Sequence, residues 1–193
     1  MTREQLATEI AKGLISTGVE GGYDAVTCST AGDYPSIGCS QWEGPRADDL
    51  LGRIIGGDYY IGRSYSDIAD SGELGTLSAL LATYSGQQAQ LDKLSEDCLD
   101  YVDSLQTVES LDQSRCLIYA GIWCPTSTSV VTAFCQRRQD RGYDLRNLDI
   151  MHSLFKDEYA TAAGCEDYAE GYANRADATY DYVANLDLGQ YGE

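Results

Sequence analysis

Val19-Glu20-Gly21-Gly22-Tyr23-Asp24-Ala25-Val26 and, after Thr30, Ala31-Gly32-Asp33-Tyr34-Pro35-Ser36-Ile37-Gly38-Cys39-Ser40-Gln41-Trp42-Glu43-Gly44 form the least ordinary part of this chain. Two short β-like runs, Ala25-Val26-Thr27-Cys28 and Ser36-Ile37-Gly38, flank the turn formers Ser29-Thr30-Ala31-Gly32-Asp33, which predicts an irregular hairpin. On the amino-terminal side Leu6, Ile10 and Leu14 recur every fourth residue, with Ala7, Ala11 and Ile15 widening the stripe. That period specifies an amphipathic helix, and Thr2 with Gln5 supplies a capping box at its start. Gly18, Gly21 and Gly22 loosen its far end, so Glu20 is expected where helix gives way to loop.

Beyond the hairpin, Pro45 suits a first helical turn, and Ala47, Leu50, Leu51, Ile54 and Ile55 restore a helical period until Gly56-Gly57. The remainder reads as helix after helix. Leu77, Leu80, Leu81 and Tyr84 begin the series; Leu91, Leu94, Cys98, Tyr101 and Leu105 follow, then Leu117 and Ile118. Val130, Val131 and Phe134 continue it, as do Leu148, Met151, Leu154 and Phe155, and finally Tyr168, Tyr172, Thr179 and Val183. The expected class is mainly α: a helical domain with a small β-hairpin lobe forming a cleft. No repeat or Pro-rich linker divides it, so residues 1–193 are expected as one domain, with a segment 1–55 carrying the hairpin and a helical lobe over 56–193.

A glutamate closing an apolar helix stripe is positioned for partial desolvation, which favours the neutral carboxyl. A glycosidic general acid needs that state. Asp33, on the turn of a hairpin that folds back toward the helix end, offers a second carboxylate to stabilise an oxocarbenium-like transition state or to activate water; Asp24 and Glu43 compete with it for that role. As an ordinary turn residue, Asp33 has an equally good structural reading, and Gln41 has one too, as a tie to loop backbone. Trp42 reads as a core anchor ahead of a sugar platform.

Glu20-Gly21-Gly22, Ser36-Ile37-Gly38-Cys39-Ser40-Gln41-Trp42 and Gly44-Pro45-Arg46-Ala47-Asp48-Asp49-Leu50-Leu51 together resemble the amino-terminal part of lysozyme-like glycosidase domains in phage and prophage lysins of Gram-positive hosts. The first two elements are similar to the E-S-G-G and G-x-x-Q elements of lytic transglycosylases and goose-type lysozymes. The likeness is close over roughly residues 1–55 and loose beyond, where Tyr168-Ala169-Glu170-Gly171-Tyr172-Ala173-Asn174-Arg175 resembles the last helix of such prophage proteins and the helical lobe resembles chitosanases. It implies an α+β lysozyme-like fold and cleavage of β-1,4 linkages in peptidoglycan, with Glu20 as general acid and Asp33 as the following-loop aspartate. It further implies Gln41 as the cleft amide, and Ser36, Tyr23 and Tyr34 as lining residues. Glu20 is followed directly by Gly21 where many relatives carry a small polar residue, and Cys28 and Cys39 fall outside the family pattern.

A formal charge of −18 over 193 residues repels nucleic acid and anionic lipid surfaces, so neither is expected as a partner. The densest basic run, Gln136-Arg137-Arg138-Gln139-Asp140-Arg141, reads as a solvated helix end rather than a phosphate site. The start of the chain lacks an apolar signal region, and no stretch reaches the roughly 18 to 20 apolar residues of a membrane span. The expected route is synthesis in a host cytoplasm and action on the wall after lysis or particle-borne delivery. The expected partner is bacterial cell-wall glycan, with a phage particle or lysin subunit as a further partner class. A silent glycan-binding module or a particle component are the competing functions.

Seven cysteines without a C-x-x-C pair, and a sole histidine, His152, without a close cysteine, argue against a zinc site; neither metal nor cofactor is expected. The thiols read chiefly as small buried apolar residues, with a Cys28–Cys39 bridge as the most plausible disulfide. His152 reads as structural.

Overall fold

The computed structural model describes residues 1–192. Ten α-helices and a two-stranded antiparallel sheet are found among them, so the chain is mainly helical. It forms two compact units: Met1–Val19 together with the chain from Ser95 onward, and Glu20–Leu94. The division therefore does not fall at residue 55, and the first helix belongs with the carboxyl-terminal helices.

In the unit made from the two chain ends, α1 (Arg3–Ser16) opens on the expected capping box: Thr2 accepts from the Gln5 amide while the Gln5 side chain accepts from the Thr2 amide. Leu6, Ala7, Ile10, Ala11 and Leu14 are all buried. This stripe packs against α6 (Ser114–Trp123), a helix apolar all round and buried from Cys116 to Trp123. The two helices approach closely through paired glycines. A Cβ on Gly121 would overlap Ile10, and one on Gly13 would overlap Ile122.

Around α6 stand α7 (Thr128–Asp140), α8 (Leu148–Asp157), the short α9 (Tyr159–Ala162) and α10 (Ala169–Ala184); α10 packs on both α8 and α6. Their core is aromatic. Trp123 lies 4.9 Å from both Phe155 and Tyr159, and Phe134 lies 5.0 Å from Phe155, ring centre to ring centre. Most are tilted or edge-on, the arrangement that the ring quadrupole favours. Tyr168 lies off this core and is exposed.

Glu9 is a carboxylate on the apolar side of α1, only 2 % exposed. It accepts from Lys12 Nζ at 2.7 Å, Tyr191 OH at 2.6 Å and Tyr182 OH at 3.3 Å. Burial pushes its pKa up, and these hydrogen bonds with the Lys12 charge outweigh that, leaving it below the ordinary glutamate value. The His152 ring bonds Asp177 at 2.7 Å and lies against Tyr180, as a structural histidine does.

In the unit Glu20–Leu94, β1 (Val26–Cys28) pairs with β2 (Pro35–Ile37) in the register Val26–Ile37, Thr27–Ser36 and Cys28–Pro35. Helix α2 (Pro45–Gly52) begins on Pro45 as expected but stops before Ile54; Ile54 is buried and Ile55 is exposed. A 3-10 turn over 57–60 leads to α3 (Tyr65–Asp70) and α4 (Leu74–Leu81), and α5 (Tyr84–Leu105) begins in this unit. Tyr84, expected on an apolar face, is exposed at the start of α5. Trp42 is a core anchor, 1 % exposed and bridged to Ile37, and Leu50, Leu51, Ile68, Leu77 and Leu81 of the same unit are buried as well.

All seven cysteines are free. The Cys28–Cys39 bridge does not form, for a reason of register: Cys28 ends the ladder opposite Pro35, while Cys39 lies beyond its other end, past the Val26–Ile37 pair. The two ladder steps from Cys28 back to Val26, about 3.3 Å each, combined with the strand spacing of about 4.8 Å already carry the pair past disulfide reach. Cys39, Cys98, Cys116, Cys124 and Cys135 are buried small residues.

Candidate functional site

Glu20 follows α1 by a short path: Thr17 caps the helix, Gly18 takes the left-handed conformation at φ 70°, and Glu20 occupies the bend beyond. It is half-buried. The next residue fixes its surroundings, because the Gly21 amide donates to the Cys39 carbonyl at 2.7 Å and so joins this bend to the turn after β2. Burial pushes the Cys39 thiol up to about 12, and the negative charge of Glu20 adds to the shift. Burial likewise raises the Tyr23 phenol.

The turn Gly38–Gln41 is held from two sides. Gly38 and Gln41 both have positive φ, 72° and 51°, which a glycine adopts freely and a glutamine only when its surroundings compel it. The Gln41 side chain is engaged at both ends of its amide: Oε1 accepts from Thr27 Oγ1 at 2.6 Å and Nε2 donates to the Gly38 carbonyl at 2.9 Å. The structural reading of Gln41 is therefore the one its contacts express. Ser36 is 3 % exposed and donates to the Gln41 carbonyl at 3.1 Å, so it does not line an open surface.

Behind the turn stands Gln90, fully buried on α5, which sequence reading missed because nothing sets it apart from its neighbours Gln87 and Gln88. Its Oε1 accepts from the Cys39 amide at 2.9 Å; its Nε2 donates to the Tyr23 carbonyl at 3.1 Å and the Leu81 carbonyl at 3.0 Å. One side chain thus fastens the turn at Cys39, the loop at Tyr23 and the carboxyl end of α4. Gly38 is needed there, since a Cβ would lie 2.5 Å from Gln90 Oε1.

Asp33 and Tyr34 lie at the other end of the hairpin. Asp33 accepts from the Ser66 amide at 2.9 Å and from the Ser66 hydroxyl, so its carboxylate caps the start of α3; the hydroxyl and amide of Ser66 hold it below the usual carboxylate range. With Tyr34, Pro35, Asp48 and Arg63 it lines a cavity of about 220 Å³ that Glu20, Tyr23, Ser36 and Gln41 do not share. Tyr34 is half exposed there, at 51 %. The ladder lies between Asp33 and the turn beside Glu20, so the two carboxylates are not brought together. Glu43, the other candidate, accepts from Ser29 Oγ at 2.8 Å, and Asp24 is exposed.

Within the basic run Arg137, Asp140 and Arg141 are exposed as expected, and Arg138 alone of its arginines departs from that solvation. Arg138 is only 5 % exposed, ion-paired to Glu158 at 2.6 Å and stacked over Phe134 at 4.6 Å.

No group of three or more metal-ligating side chains is placed to hold an ion among the described residues, and no helix among them is long and apolar enough to cross a membrane. No protein-family model matches the chain, and comparison with curated proteins and with solved structures gives no significant match.

Proposed function

We propose that this chain cleaves β-1,4 linkages of peptidoglycan glycan strands, with Glu20 as the general acid. The observation that carries the reading is the half-buried position of Glu20 in a bend tied by the Gly21–Cys39 hydrogen bond to a turn that Gln90 and Gln41 hold rigid. A proton donor must be partly desolvated and held in one place, and both conditions are supported by that arrangement. Gln41 and Ser36 act here through the turn, as positioning residues.

The engagement of Asp33 by Ser66 favours a particular variant of the chemistry. Hydrolysis with two carboxylates needs them about 5–9.5 Å apart across the scissile bond. A lytic transglycosylase needs only the acid, because the substrate's own hydroxyl attacks and an anhydro end is left. Glu20→Gln is expected to lower release of wall fragments by about 10²- to 10⁴-fold while leaving the thermal midpoint unchanged. Wall clearance by the variant at the parent's rate sinks the reading. Masses of the fragments distinguish the routes, since hydrolysis adds water and transglycosylation does not.

A further inference from the structure

Helix α7 ends on three guanidiniums that share one cavity. Arg137, Arg138 and Arg141 line it with Asp157, Glu158 and Thr161, and its volume is about 620 Å³. Residues 137 and 141 are one helical turn apart and so lie on the same face, with Arg138 beside them. Their states differ. Arg138 is buried, its charge balanced by Glu158, and its Nε has no hydrogen-bond partner. Arg137 and Arg141 are exposed, and among the described residues neither guanidinium is engaged in an ion pair or hydrogen bond.

Once the Arg138–Glu158 pair is set aside, the cavity holds two uncompensated cations against the single carboxylate of Asp157, which accepts from Ser153 at 3.1 Å. This is a local positive field in a chain of net charge −18. Unpaired arginines one turn apart offer two planar donor forks, which match the oxygens of a tetrahedral oxyanion better than a single carboxylate. The volume far exceeds one such ion and lies in the range of small-molecule sites. Asp157, an acceptor on the same wall, suits a ligand whose body carries hydroxyl donors.

We propose that this cavity binds the phosphate ester of a polyhydroxy compound, with Arg137 and Arg141 clasping the phosphate and Asp157 accepting from its hydroxyls. The site stands independently of any assignment at Glu20. The test is calorimetric titration of the whole chain at low salt with glycerol 3-phosphate, inorganic phosphate and glycerol. Saturable binding of glycerol 3-phosphate is expected, weaker binding of inorganic phosphate and none of glycerol. The double variant Arg137→Gln/Arg141→Gln, which alters only exposed unpaired side chains, is expected to bind the ester at least about tenfold more weakly with an unchanged thermal midpoint. A double variant that binds as the parent does overturns the site, as does a parent with no saturable binding up to concentrations on the order of 10 mM. Equal affinity for inorganic phosphate and the ester overturns the ester assignment and leaves a free oxyanion as the occupant. Should the double variant unfold, Arg141→Gln alone carries the same comparison.

Discussion

Gly121 on α6 is seated directly against Ile10 on α1, where a methyl group would collide with the isoleucine side chain. Overpacking at so close a contact costs about 3 kcal/mol, while replacing glycine by alanine inside a helix returns about 1 kcal/mol. Gly121→Ala is therefore expected to destabilise the fold by about 2 kcal/mol. A fall of roughly 4–8 °C in the thermal midpoint checks it; an unchanged or raised midpoint contradicts the packing described.

Gln90 presents the opposite case, a buried polar group whose removal leaves its partners stranded. Gln90→Leu strips the Cys39 amide and the Tyr23 and Leu81 carbonyls of their partner at once. At about 1 kcal/mol or more for each buried orphan, a loss of about 3 kcal/mol is expected. Hydrogen exchange should locate the damage, with protection of the Cys39 amide lost first.

The acid limb of stability should depend on Glu9. Its folded pKa is depressed, so the unfolded chain takes up the proton at the higher pH. The stabilisation is complete above the unfolded value and fades as pH falls through the folded one. Urea midpoints measured from neutral pH downward should drop steeply in the parent below the ordinary glutamate range, and less steeply in Glu9→Gln. Tyr191→Phe removes one of the hydrogen bonds and should move the drop to higher pH.

Thiol reactivity separates the cysteines. Cys28 is exposed and Cys165 half-buried, whereas burial pushes Cys39, Cys116 and Cys124 up to about 12. An aromatic disulfide reagent should titrate one thiol rapidly in the native protein, a second more slowly, and the remainder only after unfolding. Fast reaction of several thiols would contradict the burial.

Asp33→Asn distinguishes capping from catalysis. The carboxylate is held ionised by Ser66, so its contribution to α3 is present above its unfolded pKa and lost as pH falls through the folded one. The variant should lower stability and flatten its acid dependence while preserving most of any wall-cleaving activity. An activity loss as deep as that of Glu20→Gln, in a folded variant, would instead place Asp33 in the chemistry.

Periodicity made α1 legible to its caps, since Leu6, Ile10, Leu14 and the Thr2–Gln5 pair are all local signals. The hairpin was legible for the same reason, within a residue of its observed ends. Contacts between residues distant in sequence were not. Nothing near Gln90 announces that Cys39 and Tyr23 will need its amide, and nothing near Glu9 foretells Tyr191. The roles of Asp33 and Gln41 stay open in the sequence because a turn carboxylate and a loop amide look the same there whether they face a ligand or their own backbone. Arg138 shows how one member of a basic run is buried when a neighbouring helix supplies a carboxylate, here Glu158.

The hydrogen bond from Tyr191 to Glu9 spans 182 positions of the chain. All 182 of those positions must be synthesised before that buried carboxylate finds its donor, whereas α6, which packs on α1, is complete by Trp123. Closing so large a loop is slow, so the Tyr191–Glu9 bond belongs to the late contacts of folding. Loss of the Tyr191 hydroxyl should therefore loosen α1, a fault felt far from its own place in the genetic text.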